Sequence, residues 1–282
     1  MTTLVPERKY RFDWGQPFVY LVALVVVAVT IAPVVFVVLN SFRSTAQINS
    51  DPGGLPDPWV TTNFSSVLSN PSFWTQLWNS TLVAVATTTG VVVLGILAAF
   101  VIARYDFFGR KFLFALFTAG LLFPLTVAVL PLFTMLRTMG LLGNLLAVIM
   151  PQVGFALPTT IIIMVPFLRA IPSELEEAAT IDGATRPQFF RRILMPLSWP
   201  GMVTVGVLAF VGSWNAYLLP LLLLGNPAMS TLPVGVQYFS TAYSQNTAAV
   251  LAFTSLAMLP ALIFFTFAQR RIVSGLQGAV KG

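Results

Sequence analysis

Residues 77–103 read LWNSTLVAVATTTGVVVLGILAAFVIA, a continuous apolar stretch without a single Asp, Glu, Lys or Arg. A helix needs roughly 17–25 consecutive apolar residues to cross the hydrocarbon core of a bilayer, so this stretch predicts a membrane-spanning helix. Five other stretches are also long enough to span a bilayer and lack charge, namely residues 18–39, 112–136, 145–168, 201–224 and 247–268. The sequence therefore predicts an all-α membrane protein with six transmembrane helices, flanked by an N-terminal segment (1–17) and a tail (269–282).

The composition agrees with a membrane location. The chain has 282 residues, of which 57% are hydrophobic and only 9% are charged, whereas a soluble domain carries about 25% charged residues. Cys and His are both absent, which excludes disulfides, thiol catalysis and Cys or His metal ligands. The first span follows three basic residues but is too long for a signal peptide, so we expect it to be a retained signal-anchor.

The basic residues predict the orientation. Of the 15 Lys and Arg residues, all except Arg43 and Arg137 lie in the N-terminal segment, the second–third loop, the fourth–fifth loop or the tail. Cytoplasmic loops of membrane proteins are enriched in Lys and Arg, so both termini are expected in the cytoplasm. This topology accounts for the net charge of +6 without a nucleic-acid partner.

One loop is too long and too patterned to be a simple connection. Residues 169–200 read RAIPSELEEAATIDGATRPQFFRRILMPLSWP. Two capping boxes, each a hydroxyl residue followed three positions later by Glu or Gln, begin at Ser173 and Thr185. Gly183 is placed to end the first helix in a left-handed conformation, and Pro196 is expected to block continuation of the second. The loop is therefore predicted to fold as two short helices joined at Gly183.

The surfaces of these two helices predict a docking element. Ala178 and Ala179 are small enough for another surface to approach the first helix closely, while Phe189, Phe190 and Ile193 form an apolar face for which so short a loop offers no partner. The four Arg residues of the loop are balanced by four acids, so a DNA-binding helix-turn-helix would lack its basic field. The alternative to docking on another cytoplasmic subunit is a cover folded over the base of the bundle.

The loop resembles a known motif. The loop contains Glu177-Ala178-Ala179, followed after three residues by Gly183, after nine more by Ile193 and after one more by Met195-Pro196. This pattern is similar to the EAA motif, E-A-A-x3-G-x9-I-x-L-P, of binding-protein-dependent ABC importer permeases. Met195 replaces a Leu. The run EEAATIDGA, with a later Trp214-Asn215 pair, resembles the carbohydrate branch and its maltose-transporter-type second permease. In that branch an acid commonly follows the Trp-Asn pair, where this chain has Ala216.

This resemblance implies a type I ABC importer permease fold. It also implies that the loop couples transport to an ATPase through Glu177, Ala178, Ala179, Asp182, Gly183, Phe189, Ile193 and Pro196. The implied partners are a second permease subunit in a heterodimer, two cytoplasmic ATPase subunits that hold ATP and Mg, and an extracytoplasmic solute-binding protein. The implied location is the bacterial or archaeal plasma membrane, and the tail Gly275-Leu276-Gln277-Gly278 is one residue shorter than the family form.

The chain has no energy source of its own. It lacks the G-x-x-x-x-G-K-[ST] loop that cradles nucleotide phosphates, and its spans contain no ionisable residue that would couple transport to protons. Energy is therefore expected from another subunit, and the chain is expected to be a non-enzymatic subunit without a cofactor. A stand-alone channel and an intramembrane enzyme are remote alternatives, because the first leaves the loop unexplained and the second lacks acid–base groups.

The uncharged spans favour a neutral, hydroxyl-rich solute such as a mono- or oligosaccharide over an amino acid or an oxyanion. The aromatic and amide groups expected to line half of its path are Gln152, Thr159, Trp214, Asn215 and Tyr217. The alternative for Trp214 and Tyr217 is packing or a place in the interfacial aromatic belt. A polyol, a glycerol-phosphate derivative or a peptide remains an alternative solute.

Overall fold

The computed structural model describes residues 17–242 and 246–280, and every regular element within these ranges is a helix, which confirms the all-α prediction for them. The apolar sequences between turn residues form helices because only helices satisfy all backbone polar groups within one segment in a bilayer. In chain order the helices are α1 (Pro17–Ser41), α2 (Thr45–Ser50), α3 (Thr62–Leu68), α4 (Pro71–Arg104), α5 (Arg110–Gly120), α6 (Leu125–Thr138), α7 (Leu146–Arg169), α8 (Glu174–Ile181), α9 (Arg186–Leu197), α10 (Trp199–Trp214), α11 (Leu218–Leu224), α12 (Leu232–Ala242) and α13 (Thr247–Val280).

Four helices in the described residues are long and apolar enough to cross a membrane: α1, α4, α7 and the part of α13 from Thr247 to Thr266. Two bent pairs raise the number to as many as six. The pair α5 and α6 is bent by 99°, and the pair α9 and α10 by 73°. The described part of the chain therefore contains four to six candidate spans.

Two predicted spans are not single helices. The predicted third span, 112–136, is divided between α5 and α6, and the bend lies at Pro124, whose extended backbone (φ −73°, ψ 131°) precedes α6. The predicted fifth span, 201–224, is divided between α10 and α11 by residues 215–217. The first break follows from a proline that has no N–H to continue a helix. The second break, at residues 215–217, contains no proline, so the sequence offered no comparable signal for it.

The central contact is between α4 and α7, which pack along most of their length. Small residues of α4 make this possible: a Cβ atom added to Gly95 would lie 2.3 Å from the Cγ2 atom of Thr160, and one added to Gly90 would lie 2.9 Å from Val153. Close approach of this kind through small residues is typical of helix pairs in membranes. The helix α10 packs on α4 and on α13, and α1 packs on α13.

Helix α4 also holds the loop that precedes α12. The Nδ2 atom of Asn79 donates hydrogen bonds to the carbonyl oxygens of Ala228 (3.3 Å) and Ser230 (3.1 Å). The Oγ atom of Ser80 accepts one from the backbone N–H of Leu232 (2.8 Å). Because α4 is a continuous helix of 34 residues, about 50 Å long, its other end lies far from this loop, beside α8 and α9.

Candidate coupling loop and solute cavities

The corner between α8 and α9 is built around Gly183. This residue has φ +77°, so the predicted left-handed conformation is confirmed. The backbone N–H of Gly183 donates to the carbonyl oxygen of Thr180 (3.0 Å), and that of Ala184 donates to Ala179 (2.9 Å). These bonds satisfy carbonyls that the end of α8 would otherwise leave free. The conformation is one that residues with a Cβ adopt only at a cost.

Of the two predicted capping boxes, one forms. The Oε1 atom of Gln188 accepts a hydrogen bond from the backbone N–H of Thr185 (2.7 Å), which closes the box at the start of α9. Ser173 makes no cap hydrogen bond from its side chain. Its backbone is helical (φ −69°, ψ −26°), whereas a hydroxyl cap normally requires an extended backbone. The box predicted at Ser173 is therefore wrong, although α8 begins directly after it.

Pro196 does not end the second helix, contrary to the sequence expectation. A π-helical turn over Phe190–Leu194 precedes it, and α9 continues to Leu197. The wider turn moves the carbonyl with which a proline ring would clash in a regular helix. The chain turns instead at Ser198, whose Oγ atom donates to the carbonyl oxygen of Leu194 (2.6 Å).

The apolar side chains of α9 have partners within the chain. This corrects the prediction that Phe189, Phe190 and Ile193 form an apolar face without a partner. Phe189 is only 3% exposed and Phe190 is 8% exposed, both within a cluster with the ends of α4 and α7. The ring of Phe190 lies 4.9 Å from that of Phe100, and Ile193 packs partly buried against the same cluster. Burial of one such side chain is worth about 1.5–3 kcal/mol. These residues hold the loop on the bundle and do not form a free docking face.

The free face belongs to α8. Ala178 is exposed and its neighbour Ala179 is buried, at 6% exposure, so the two alanines lie on different sides of the helix. Ile181, three positions after Ala178 and hence on the same side of the helix, is 86% exposed. The acids Glu177 and Asp182 are also exposed. The sequence reasoning missed Ile181, although a β-branched apolar residue beside Asp182 in a polar helix was a signal.

Two side-chain contacts join the loop to the end of α4. The Nη2 atom of Arg104 donates to the carbonyl oxygen of Ile171 (2.7 Å). The guanidinium of Arg186 lies 4.9 Å from the ring centroid of Tyr105, a cation–π distance. The ring of Tyr105 also makes an edge contact with Phe100 at 5.3 Å. Burial, followed by the charge of Glu176, raises the pKa of the Tyr105 hydroxyl despite the opposing effect of Arg186.

The five residues predicted to line a solute path fall into three cavities. Gln152 and Tyr217 share one of about 370 Å³ at the break between α10 and α11. In it the Oε1 atom of Gln152 accepts hydrogen bonds from Thr87 (3.0 Å) and Ser213 (2.6 Å), while its buried Nε2 atom has no partner. The Tyr217 hydroxyl donates to the side chain of Gln237. This cavity combines amide, hydroxyl and aromatic groups without a charge.

The other three predicted residues lie elsewhere. Trp214 and Asn215 line a second cavity of about 400 Å³ toward α12 and α13. Trp214 is 4% exposed, and its ring lies 5.8 Å from that of Phe210. Asn215 is exposed, and its Nδ2 atom donates to the carbonyl oxygen of Val211 (3.0 Å). Thr159 is exposed in a small cavity of about 110 Å³ that shares Ala156 with the Gln152 cavity.

The fold and these features define a multi-pass membrane permease subunit. Residues 91–277 match the family described as binding-protein-dependent transport system inner membrane component, so the chain belongs to this family of ABC transporter permeases and is an inner-membrane transport subunit that is not an enzyme. The class predicted from the loop motif is confirmed.

Two curated relatives are sugar transporter permeases. The chain is 36% identical, over 91% of its length and 94% of the relative, to the trehalose transport system permease protein SugB of Mycobacterium tuberculosis. It is 34% identical, over 88% of its length and 83% of the relative, to the diacetylchitobiose uptake system permease protein NgcG of Streptomyces coelicolor. Among solved structures, a bacterial ABC transporter involved in import of the acidic polysaccharide alginate matches 93% of this chain and 99% of its own with a TM-score of 0.77 at 21% identity. The structural match confirms the fold.

Proposed function

We propose that this chain forms half of the path of an ATP-driven sugar importer and receives force from a cytoplasmic ATPase through α8. The observation that supports the proposal most directly is the exposed face of Ala178 and Ile181 on α8. This face lies next to the corner at Gly183, which contacts within the chain hold in place. An apolar side chain at 86% exposure in an otherwise polar helix fits a protein partner. The flanking acids Glu177 and Asp182 would set its orientation.

The contacts between the loop and α4 support a route for the force. A pull on α8 reaches α4 through Arg104 and Tyr105 as well as through the covalent connections to α7 and α10. Thr87 contacts Gln152, and Asn79 contacts the loop before α12. Because α4 is continuous, a displacement of its end would displace both Thr87 and Asn79. A shift of one rigid helix would thus act on the solute cavity and on the far loop together, as alternating access requires.

The cavity around Gln152 supports a neutral sugar as the solute. An unpartnered buried Nε2 atom is costly in an apolar bundle, and a sugar hydroxyl would satisfy it. The relatives named for trehalose and diacetylchitobiose uptake favour an oligosaccharide. We further propose that a second permease subunit completes the path, that two ATPase subunits bind ATP and Mg, and that a binding protein delivers the sugar. Both termini, including residues 1–16 outside the described ranges, are proposed to be cytoplasmic.

The docking face can be tested by cysteine cross-linking, because the chain has no Cys of its own. Ala178→Cys and, as its matched control, Ala179→Cys place a thiol on the exposed and the buried side of one helix. In the assembled transporter a short bifunctional reagent should join residue 178, and not residue 179, to the ATPase subunit. Cross-linking of neither residue, with the ATPase present in the purified complex, would contradict the docking assignment.

The solute cavity can be tested separately with Gln152→Leu, which keeps the side-chain volume similar and removes the amide. Uptake of a neutral oligosaccharide should fall while the amount of assembled complex is retained. Asn215→Leu makes the same kind of change in the second cavity and shows whether that cavity also contributes to the path. Equal uptake by the Gln152→Leu variant and the unmodified transporter would show that the path lies elsewhere, and would leave the docking result unaffected.

A further inference from the structure

We propose that the turn between α4 and α5 is a binding site for the headgroup of an anionic phospholipid. The turn borders a concavity of about 1020 Å³ at the ends of α4 and α7 and the start of α5. Its lining includes Asp106, Phe108, Arg110, Lys111, Phe112 and Arg169. None of these side chains makes a contact described above for α8 or α9, and none lines a solute cavity.

The charge of the concavity fits an anion. Arg110 forms an ion pair with Asp106, which leaves Lys111 and Arg169 without an ion pair among the described residues. Both side chains are exposed and come from different helices. The ionised side chains of the lining therefore sum to a net charge of +2, and each Lys or Arg near a bilayer surface contributes measurably to binding of anionic lipid.

The apolar surface beside the cations identifies the ligand as a lipid. Phe108 is fully exposed (106%), Phe112 is 72% exposed and Leu116 is 56% exposed. They are spaced four residues apart, so Phe112 and Leu116 lie on one outward stripe of α5 and Phe108 precedes it at the turn. A free phosphate would gain nothing from this stripe. A phospholipid would place its headgroup between Lys111 and Arg169 and an acyl chain along the stripe.

The position along the chain agrees with a membrane surface. Arg169 directly follows the uncharged stretch 145–168, and Lys111 directly precedes the uncharged stretch 112–136. Basic residues at the borders of uncharged membrane stretches lie at the level of the lipid headgroups. Residue types, spacing and location therefore all fit an anionic lipid, and the site does not depend on the proposed transport function.

The test measures lipid selectivity of the purified, reconstituted transporter. Spin-labelled phosphatidylglycerol and spin-labelled phosphatidylcholine report the fraction of lipid immobilised on the protein. The unmodified transporter should prefer phosphatidylglycerol. Lys111→Gln and Arg169→Gln should each reduce that preference about fivefold at low salt, and raised salt should have the same effect on the unmodified protein. Phe112→Ser should weaken association of both lipids equally.

The matched control is Arg191→Gln with Arg192→Gln, which removes two exposed charges at the same end of the molecule and outside the concavity. Lys111→Glu provides a second variant, which should reverse the preference. Unchanged selectivity in the Lys111→Gln and Arg169→Gln variants would overturn the proposal, and so would an equal loss in the control. Loss of the ATPase subunit from these variants with selectivity retained would identify the surface as a protein contact and would also overturn it.

Discussion

Replacement of Gly183 by Val is the perturbation whose effect follows most directly from the geometry. The residue has φ +77°, and an added Cβ would meet no atom within 4 Å, so the substitution adds strain without a steric clash. A β-branched residue in the left-handed region costs about 1–2 kcal/mol, a factor of roughly 5–30 in the population of the native corner. Relaxation of φ would break the hydrogen bond from Ala184 to Ala179 and change the direction of α9.

The assay compares basal and binding-protein-stimulated ATP hydrolysis of the purified assembly, together with uptake. We expect stimulation and uptake to fall in Gly183→Val, because α8 and the α4 contacts are no longer correctly aligned. Gly140→Val is the matched control, since Gly140 has φ +70° and equally empty surroundings in the turn after α6. Gly183→Asn should restore function, since Asn tolerates this conformation. Normal stimulation and uptake in Gly183→Val would refute the reasoning.

Three further predictions concern other parts of the molecule. Tyr105→Leu removes the cation–π contact, worth about 0.5–2 kcal/mol, and should lower stimulated hydrolysis. Tyr105→Phe keeps the ring and should retain stimulated hydrolysis. An equal loss in both variants would show that the hydroxyl, and not the cation–π contact, is required. Gly95→Val forces a side chain against Thr160 and should lower the free energy of unfolding by about 1–3 kcal/mol. Gly154→Ala should not, because an added Cβ there meets no atom within 4 Å. Melting of the two purified variants at the same temperature would contradict the packing argument. Reporter fusions after residues 103 and 168 should be cytoplasmic and fusions near residues 56 and 231 external, and an external reporter at residue 103 would contradict the topology.

The sequence was sufficient for the class of protein because membrane helices are encoded by length and absence of charge. Uninterrupted stretches such as residues 77–103 and 145–168 match α4 and α7 closely. It was not sufficient for the breaks within spans. Pro124 lies at a sharp bend, yet Pro158 lies inside the continuous α7, so a proline alone does not determine whether a membrane helix ends.

The coupling loop, residues 169–200, also shows which features a sequence can and cannot predict. Gly183 and the box at Thr185 act through local geometry, and the sequence predicted both correctly. The exposure of Phe189 depends on whether the ends of α4 and α7 lie beneath it, which no pattern within the loop encodes. For the same reason the sequence grouped Gln152 with Trp214, whereas the structure places them in separate cavities. Tertiary packing decides both outcomes.

The central claim is that this chain couples ATP hydrolysis on a partner to passage of a neutral sugar. The most direct measurement follows hydrolysis and uptake of a radiolabelled oligosaccharide in the same proteoliposomes, which contain the chain, its partner permease, the ATPase and the binding protein. We predict that uptake requires ATP and that Ile181→Asp on the α8 face lowers stimulated hydrolysis and uptake in parallel. Uptake that persists without ATP, or that is unaffected when Ile181→Asp abolishes stimulated hydrolysis, would contradict the account.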